Sequence, residues 1–365
     1  MLPLILSISV GVLGLITGSF LNAVIHRLPR GISLLNPKRS FCPSCDKMIP
    51  WHENLPVVSW LLLRGRCSGC SLPIAIRYPL VELLTAALYL MAWSRFGLPL
   101  APVFWIFLSL LIAATFIDFD HLIIPDEITL GGTAAGLLAA ICVPSLLGAS
   151  SWWQGFHASL WGAALGYSLL WGVVELGKLA FGKRRIRPQE PLPLSLGEHE
   201  ERIVLKLGEE MMPLDECFYR ESDRIEAQCL WIEISGERLE SGRLVLSQDR
   251  VIYEESSGKR EWLFADLPDD ALRAEVSELT LPREAMGFGD VKFLACIGAF
   301  LGWKGVLFSL FAGSVIGAVI GVAMLLVTQG RSGGKIPFGP YLALGALLWV
   351  FVGPELLLLY LGTLR

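Results

Sequence analysis

Charged residues are scarce in this chain of 365 residues, and neither sign dominates. Lys, Arg, Asp and Glu make up 18% of the sequence, the net charge is −4, and the 37 glycines show no period of three. The balanced charge excludes a broadly basic nucleic-acid-binding protein, and the missing period excludes collagen. Apolar residues make up 53% of the chain, more than a soluble protein could cover. The composition therefore predicts a polytopic membrane protein.

The few charges are unevenly distributed. Residues 182–285 contain 24 acidic and 15 basic residues, whereas the rest of the chain contains 10 acidic and 15 basic residues. The first stretch is therefore soluble in character. Its short apolar-alternating segments, separated by turn signals, predict a small antiparallel β-domain. Residues 267–279 are predicted to form a helix within it.

Hydrophobic runs predict about eight transmembrane helices. These runs cover residues 2–25, 80–93, 101–117, 128–147, 157–181, 291–303, 306–327 and 338–361. Lys and Arg are concentrated in alternate loops, above all in residues 27–77, and the positive-inside rule places those loops in the cytoplasm and both termini outside. The predicted fold is an α-helical polytopic membrane protein with an inserted, β-rich cytoplasmic domain.

The predicted division of the chain follows from these runs. The regions are a first span (residues 1–26), a cytoplasmic loop (27–78), spans two to five (79–181), the inserted domain (182–285) and the last three spans (286–365).

Four of the eight cysteines form two C-x2-C motifs in the cytoplasmic loop. They are Cys42, Cys45, Cys67 and Cys70. Two such knuckles allow four thiolates to surround one Zn²⁺ tetrahedrally, and a site closed by four ligands is structural. Two disulfides or four thiols without a role are the alternatives, and a cytoplasmic loop disfavours disulfides. The sequence therefore predicts a structural zinc-knuckle loop.

Acidic residues are concentrated directly after the third predicted span. Asp118, Asp120, Asp126 and Glu127 lie within ten positions, and Asp290 opens the sixth span in the motif GFGD. Carboxylates near hydrocarbon are costly and usually functional. Asp118 and Asp290 share one predicted membrane depth, so helix packing could make them a proton-sharing pair for peptide hydrolysis. Helix capping for Asp126 and Glu127, and solvation for Asp120, are the simpler interpretations of those three.

Taken in order, the motifs resemble those of the type IV prepilin peptidases, a family of GxGD-class membrane aspartyl proteases. The segments that carry the resemblance are GSFLNAVIHRLP (18–29), the two C-x2-C motifs, RYPLVE (77–82), D-x-D-x-x-x-I-P-D (118–126), GFGD (287–290) and IPFGPYLALG (336–345). By position, the resemblance implies that Asp118 and Asp290 are the catalytic aspartates. It also implies zinc binding by Cys42, Cys45, Cys67 and Cys70.

The resemblance further implies a reaction and a location. Members of the family remove the basic leader of type IV prepilins and type II secretion pseudopilins at the cytoplasmic face of the bacterial inner membrane. Many then methylate the new N-terminus with S-adenosylmethionine. The sequence shows no glycine fingerprint for that cofactor. Glu82, a carboxylate near the cysteine loop, is the candidate for its site, and pairing of Glu82 with Arg77 or another polar group is the structural alternative.

Other interpretations remain open. A peptidase of the same chemistry could act on preflagellin-like substrates without methylation. A transporter with acidic gates, or a zinc-binding membrane scaffold with Asp118 and Asp290 far apart, would belong to other classes of protein. Residues 182–285 depart from the family pattern and are either a contact surface for pilus or type II secretion components or a neutral insertion. Membrane lipid is the expected surrounding, and no nucleic-acid partner is expected.

Overall fold

A computed structural model of the chain divides it into two compact units. The first comprises Met1–Trp171 and Gly287–Arg365, and the second comprises Gly172–Met286. The residues that the structure describes are 2–36, 40–42, 44–181, 183–188, 190–199, 202–208, 210–214, 217–218, 223–255, 258–268, 272–282, 287–327 and 337–363. Both ends of the chain therefore contribute to one unit, although the whole second unit lies between them in sequence.

Apart from short 3₁₀ turns and isolated bridges, the described secondary structure of the first unit is helical. The helices are α1 (Leu2–Arg27), α2 (Val58–Leu62), α3 (Arg77–Phe96), α4 (Leu100–His121), α5 (Asp126–Cys142), α6 (Trp152–Phe181), α7 (Phe288–Val327) and α8 (Gly339–Thr363). The last ten residues of α6 belong to the second unit. Each of these helices except the short α2 begins or ends close to a predicted hydrophobic run, because apolar length decides where a membrane helix forms.

Four helices in the described ranges are long and apolar enough to cross a membrane. They cover Pro3–Arg30, Leu100–His121, Trp152–Gly177 and Phe288–Val327, and a shorter apolar helix covers Gly339–Gly353. The chain is therefore a multi-pass helical protein with a β-sheet region. The predicted number of eight spans stays a prediction.

Helix α7 contains a break near the boundary that the sequence predicts between two spans. Gly302 has φ 66° and ψ −176° within Phe288–Val327, a backbone conformation that favours glycine. A straight helix of 40 residues would be about 60 Å long, about twice the thickness of the hydrocarbon layer. The break divides α7 into two segments close to the predicted runs 291–303 and 306–327.

Two glycines allow α1 to lie directly against α3. A Cβ atom on Gly14 would stand 2.5 Å from the Cα atom of Ala86, and one on Gly18 would stand 2.6 Å from the Cα atom of Glu82. Small residues four positions apart are a common means of close helix packing in membranes. The motif GSFLN, which begins at Gly18, is therefore packed against the helix that begins with RYPLVE.

The second unit contains an antiparallel sheet of ten strands in the described residues. The strands are β1 (Lys183–Ile186), β2 (Leu192–His199), β3 (Arg202–Leu207), β4 (Glu210–Pro213), β5 (Ile225–Ile234), β6 (Glu237–Leu239), β7 (Gly242–Leu246), β8 (Arg250–Glu255), β9 (Gly258–Leu263) and β10 (Leu272–Pro282). Their order is β4-β3-β2-β10-β5-β7-β8-β9, with β1 paired to β10 and β6 paired to β5. One buried cluster, which includes Leu205, Ile232 and Tyr253, forms the core of this unit.

Strand β10 shows that the helix predicted over residues 267–279 is wrong. Leu272, Ala274 and Val276 are buried in alternation, and the strand pairs with β5 on one side and with β2 on the other. A register shift between Val276 and Glu278 then returns Leu279 to the buried face. Because of this bulge, Leu272, Val276 and Leu279 have the spacing of a helix face although they lie on a strand.

Candidate active site and metal site

Asp118 lies in the last turn of α4 and is buried, with 5% of its surface exposed. The backbone N–H of Gly339, the first residue of α8, donates a hydrogen bond of 3.0 Å to Asp118 Oδ2. A Cβ atom on Gly339 would stand 2.7 Å from the same oxygen and 2.8 Å from Ile124 Cδ1. Only glycine leaves room for this approach, so the start of α8 fixes one oxygen of Asp118.

Asp290 lies in the first turn of α7 and is 9% exposed. Its Oδ1 atom has no hydrogen-bond partner in the described part of the chain. Gly289, which precedes Asp290, and Gly339, which binds Asp118, both lie against Ile124, so the two carboxylates are in the same region although 171 residues separate them in sequence. The scaffold interpretation required them to lie far apart, and the structure does not support it.

The loop after α4 connects the surroundings of the two aspartates. Leu122 adopts the left-handed conformation, with φ 55°, and ends the helix by donating its N–H to the Asp118 carbonyl. The chain then turns so that Ile124 packs at Gly339, and a Cβ atom on Gly289 would stand 3.3 Å from the Ile124 nitrogen. Ile124 is therefore in contact with the segments that carry both aspartates.

Two other acidic residues of this region form ion pairs. Asp126 Oδ1 accepts a hydrogen bond of 2.6 Å from Lys292 Nζ, and Asp120 is paired with Arg77. Asp126 is the first residue of α5, whose N-cap is Pro125 without a side-chain bond; the predicted capping role is thus replaced by an ion pair to α7. These pairs connect α5 with α7 and α4 with α3.

Glu127 is exposed in the first turn of α5, where a negative charge interacts favourably with the helix dipole.

The four motif cysteines converge as the sequence predicts. Their sulfur atoms lie within 4.8 Å of one another, and Cys42 Sγ and Cys70 Sγ are 3.9 Å apart. All four are free thiols. Tetrahedral zinc with Zn–S bonds near 2.3 Å requires sulfur atoms roughly 3.8 Å apart. The donor set therefore fits one zinc ion and not two disulfides.

The two knuckles have the same backbone design. In the first knuckle, Cys42 N–H donates to Lys47 O and Asp46 N–H donates to Cys42 O. In the second knuckle, Cys67 N–H donates to Leu72 O and Ser71 N–H donates to Cys67 O. Asp46 and Ser71 have positive φ at the equivalent position. The backbone N–H of Gly69 donates to Cys67 Sγ at 3.3 Å, which favours the thiolate that a metal requires.

Glu82 lies in the second turn of α3 and is 7% exposed. Its Oε2 atom accepts a hydrogen bond of 2.7 Å from the Val57 N–H in the cysteine loop. Arg77, the partner expected under the structural alternative, is paired with Asp120 instead. Glu82 is therefore a buried carboxylate held by a neutral backbone N–H.

Sequence reasoning missed the contributions of Ile124, Gly339, Lys292 and Val57. The family motifs at 118–126 and 336–345 contain Ile124 and Gly339, and Lys292 follows GFGD by two residues. These motifs could therefore have drawn attention to the three residues. Their roles depend on contacts between segments more than 160 residues apart, which no local pattern reports. Val57 lies outside the motifs and carries no such signal.

The fold and the site are those of a helical membrane protein with two buried, neighbouring aspartates. Two family models match the chain. The bacterial peptidase A24 N-terminal domain matches residues 12–96, and the type IV leader peptidase family matches residues 105–183 and 271–322. The unmatched residues 184–270 lie in the second unit. The cysteine cluster and Glu82 lie in the first matched region, and the two aspartates lie in the second.

Three relatives illustrate the similarity, and each is named a prepilin leader peptidase/N-methyltransferase. The one from Aeromonas hydrophila is 31% identical over 92% of this chain and 88% of its own length. The one from Stutzerimonas stutzeri is 29% identical over 95% of this chain and 92% of its own length. The one from Myxococcus xanthus is 47% identical, over 43% of this chain and 44% of its own length. No solved structure matches the chain. The chain belongs to the type IV leader peptidase family.

Proposed function

We propose that this protein processes prepilins at the bacterial inner membrane. It removes the basic leader of type IV prepilins and type II secretion pseudopilins and N-methylates the new N-terminal residue with S-adenosylmethionine. Membership of the family supports this function. The observation that carries the peptidase activity is the convergence of Asp118 and Asp290, two buried carboxylates whose segments both contact Ile124.

The hydrogen bonds suggest different roles for the two aspartates. Because the Gly339 N–H donates to Asp118 Oδ2, we assign the negative charge to Asp118. Because two neighbouring carboxylates do not both stay charged, we assign the shared proton to Asp290, whose Oδ1 has no protein partner among the described residues. Asp118 then takes a proton from water as the water oxygen attacks the scissile carbonyl, and Asp290 gives its proton to the carbonyl oxygen.

We assign the orientation of the protein in the membrane from the distribution of its basic residues. The loop of residues 27–78 carries most of the basic residues outside the second unit and is assigned to the cytoplasm. The two aspartates lie at the same side, because Asp120 at the end of α4 is paired with Arg77 at the start of α3. We assign residues 79–181 and 286–365 to the membrane part, with residues 1–26 as its first span and eight spans in all.

Zinc is assigned a structural role. Cys42, Cys45, Cys67 and Cys70 would hold it, and it would cross-link the two knuckles of the loop.

Residues 182–285 are assigned to the cytoplasm as an inserted domain. Their excess of nine negative charges favours contact with basic segments such as a prepilin leader. Components of the pilus or type II secretion assembly are the other partners proposed for this domain.

The test is cleavage of a prepilin by membranes that contain the wild type, Asp118→Asn or Asp290→Asn. Each substitution removes one member of the proton-transferring pair, so the cleavage rate should fall by roughly 10²–10⁴-fold. Glu127→Gln is the matched control, because this exposed carboxylate is near the pair in sequence and outside it in the structure. Cleavage at the wild-type rate by either Asn variant would show that its aspartate is not catalytic.

A further inference from the structure

A cavity of about 350 Å³ lies between the end of α1, the cysteine loop and the start of α3. Its volume is in the range of sites for small molecules and cofactors. Its lining includes Asn22, His26, Phe41, Trp60, Tyr78 and Glu82. Two cationic residues also line it: Lys47 is paired with Glu53, and Arg27 donates to the carbonyls of Ser33 and Leu34. The motifs GSFLNAVIHRLP and RYPLVE and the first cysteine knuckle all contribute to the wall, and the aspartate pair does not use any of them.

Glu82 makes this cavity suitable for a cation. The carboxylate is buried and accepts a hydrogen bond from the Val57 N–H. No lysine, arginine or histidine forms an ion pair with Glu82 in the part of the chain that the structure describes. A buried carboxylate without a counter-ion is costly, and a cationic ligand in the cavity would compensate that cost.

Aromatic rings supply the second feature of the cavity. Phe41, Trp60 and Tyr78 line it, and two of the rings are anchored through polar groups. Trp60 Nε1 donates to the Ile74 carbonyl at 3.1 Å, and Asn22 Nδ2 donates to the Tyr78 carbonyl at 3.0 Å. Ring faces of this kind bind purine bases by stacking and attract positive groups through cation–π interactions.

The cavity is separate from the aspartate pair and lies near it. Arg77 at the start of α3 is paired with Asp120, two residues after Asp118, and Glu82 follows Arg77 by five residues, about 7.5 Å along the helix.

We propose that this cavity is the binding site for S-adenosylmethionine, in which the Glu82 carboxylate selects the net positive charge of the methyl donor. The inference rests on the proposed methyl transfer. In that reaction the bond from sulfur to the methyl carbon breaks, a bond from the amine nitrogen to that carbon forms, and the amine releases a proton. The sulfonium becomes a neutral thioether. The product thus loses the charge that Glu82 attracts, which favours its release.

The test is equilibrium binding of S-adenosylmethionine and S-adenosylhomocysteine to the purified full-length protein. Glu82→Gln keeps the size of the side chain and an oxygen for the Val57 N–H, and it removes the charge. The affinity for S-adenosylmethionine should fall at least tenfold and the affinity for S-adenosylhomocysteine much less. Glu127→Gln is the control for removal of a carboxylate elsewhere. An affinity for S-adenosylmethionine within twofold of the wild type, or an equal loss for both ligands, would overturn the proposal.

A second measurement uses the wild type alone and does not depend on the folding of a variant. Ultraviolet cross-linking of radiolabelled S-adenosylmethionine should label peptides that contain Phe41, Trp60 or Tyr78. Labelling confined to other peptides would overturn the assignment of the cavity, while methylation of pre-cut pilin by the same preparation would leave the proposed function intact. A wild type that neither binds the donor nor methylates pilin would instead contradict the proposed methyl transfer itself.

Discussion

The contact between Gly339 and Asp118 can be tested by adding one methyl group with Gly339→Ala. In Gly339→Ala the new Cβ atom would stand 2.7 Å from Asp118 Oδ2 and 2.8 Å from Ile124 Cδ1. Ordinary contacts need more than 3 Å, so Asp118, Ile124 or the start of α8 must move by at least about 0.5 Å. Each movement disturbs either the hydrogen bond to Asp118 or the loop that also contacts Gly289.

Displacement of a catalytic group by about 1 Å can cost roughly 100-fold in rate, which corresponds to about 2.7 kcal/mol of activation free energy. We therefore expect Gly339→Ala to lower the rate of prepilin cleavage by roughly 10- to 100-fold. The assay is single-turnover cleavage by purified protein, read as the mass of the released pilin. Binding of S-adenosylmethionine should stay at the wild-type value, because Gly339 does not line the cavity at Glu82.

The matched control is Gly131→Ala in α5. A Cβ atom at Gly131 would meet nothing within 4 Å, so this variant adds the same methyl group to a glycine of the same unit without a clash. It should cleave at the wild-type rate. If Gly339→Ala also cleaves within twofold of the wild type while its fold is intact, the positioning of Asp118 by the start of α8 is refuted.

Three further predictions concern the other parts of the molecule. Metal analysis should find one zinc ion per chain, and Cys45→Ser or chelation should lower the midpoint of thermal unfolding; a metal-free protein of unchanged stability would contradict the zinc site. Gly18→Leu should weaken binding of S-adenosylmethionine, because its side chain would meet the backbone of Glu82 at 2.6 Å, an overpacking that costs about 1–3 kcal/mol; unchanged affinity would contradict the close α1–α3 contact. Burial raises the pKa of Cys229 to about 12, so its thiol stays neutral at pH 8 and should resist iodoacetamide until the protein unfolds; rapid native labelling would contradict its burial.

The sequence predicts the chemistry of the first unit better than its geometry. The spacing of Cys42, Cys45, Cys67 and Cys70 was sufficient for the convergence that the structure shows, because each C-x2-C knuckle is a local structure. Asp126 was expected to cap a helix and instead binds Lys292. That partner is 166 residues away, and helix propensity carries no information about it.

In the second unit, the spacing of apolar residues predicts most of the secondary structure but not all of it. Its strands were expected from alternating apolar residues, and the described sheet has ten of them. The one segment expected to be helical is β10, where a bulge between Val276 and Glu278 shifts the alternation by one residue. A bulge is decided by pairing with β5, so its effect on Leu279 becomes visible only when the neighbouring strand is known.

The carboxylates of the first unit fall into two groups according to their partners. Asp120 and Asp126 are paired with Arg77 and Lys292, so their charges are already compensated and their main effect is to join helices. Asp118 and Glu82 are held by backbone N–H groups, each in a place where a glycine allows the close approach of another helix.

A backbone N–H fixes the position of a carboxylate and leaves its charge uncompensated, whereas a lysine or arginine neutralises it. Asp118 is therefore able to accept a proton, and Glu82 is able to attract a cation. Within this part of the chain, the kind of partner separates the carboxylates that we assign to chemistry from those that we assign to structure. Exchanging the two kinds of partner, for example by placing a lysine beside Glu82 with Ser19→Lys, should abolish binding of the positively charged donor. Retained binding in that variant would show that the free charge of Glu82 is not what the cavity uses.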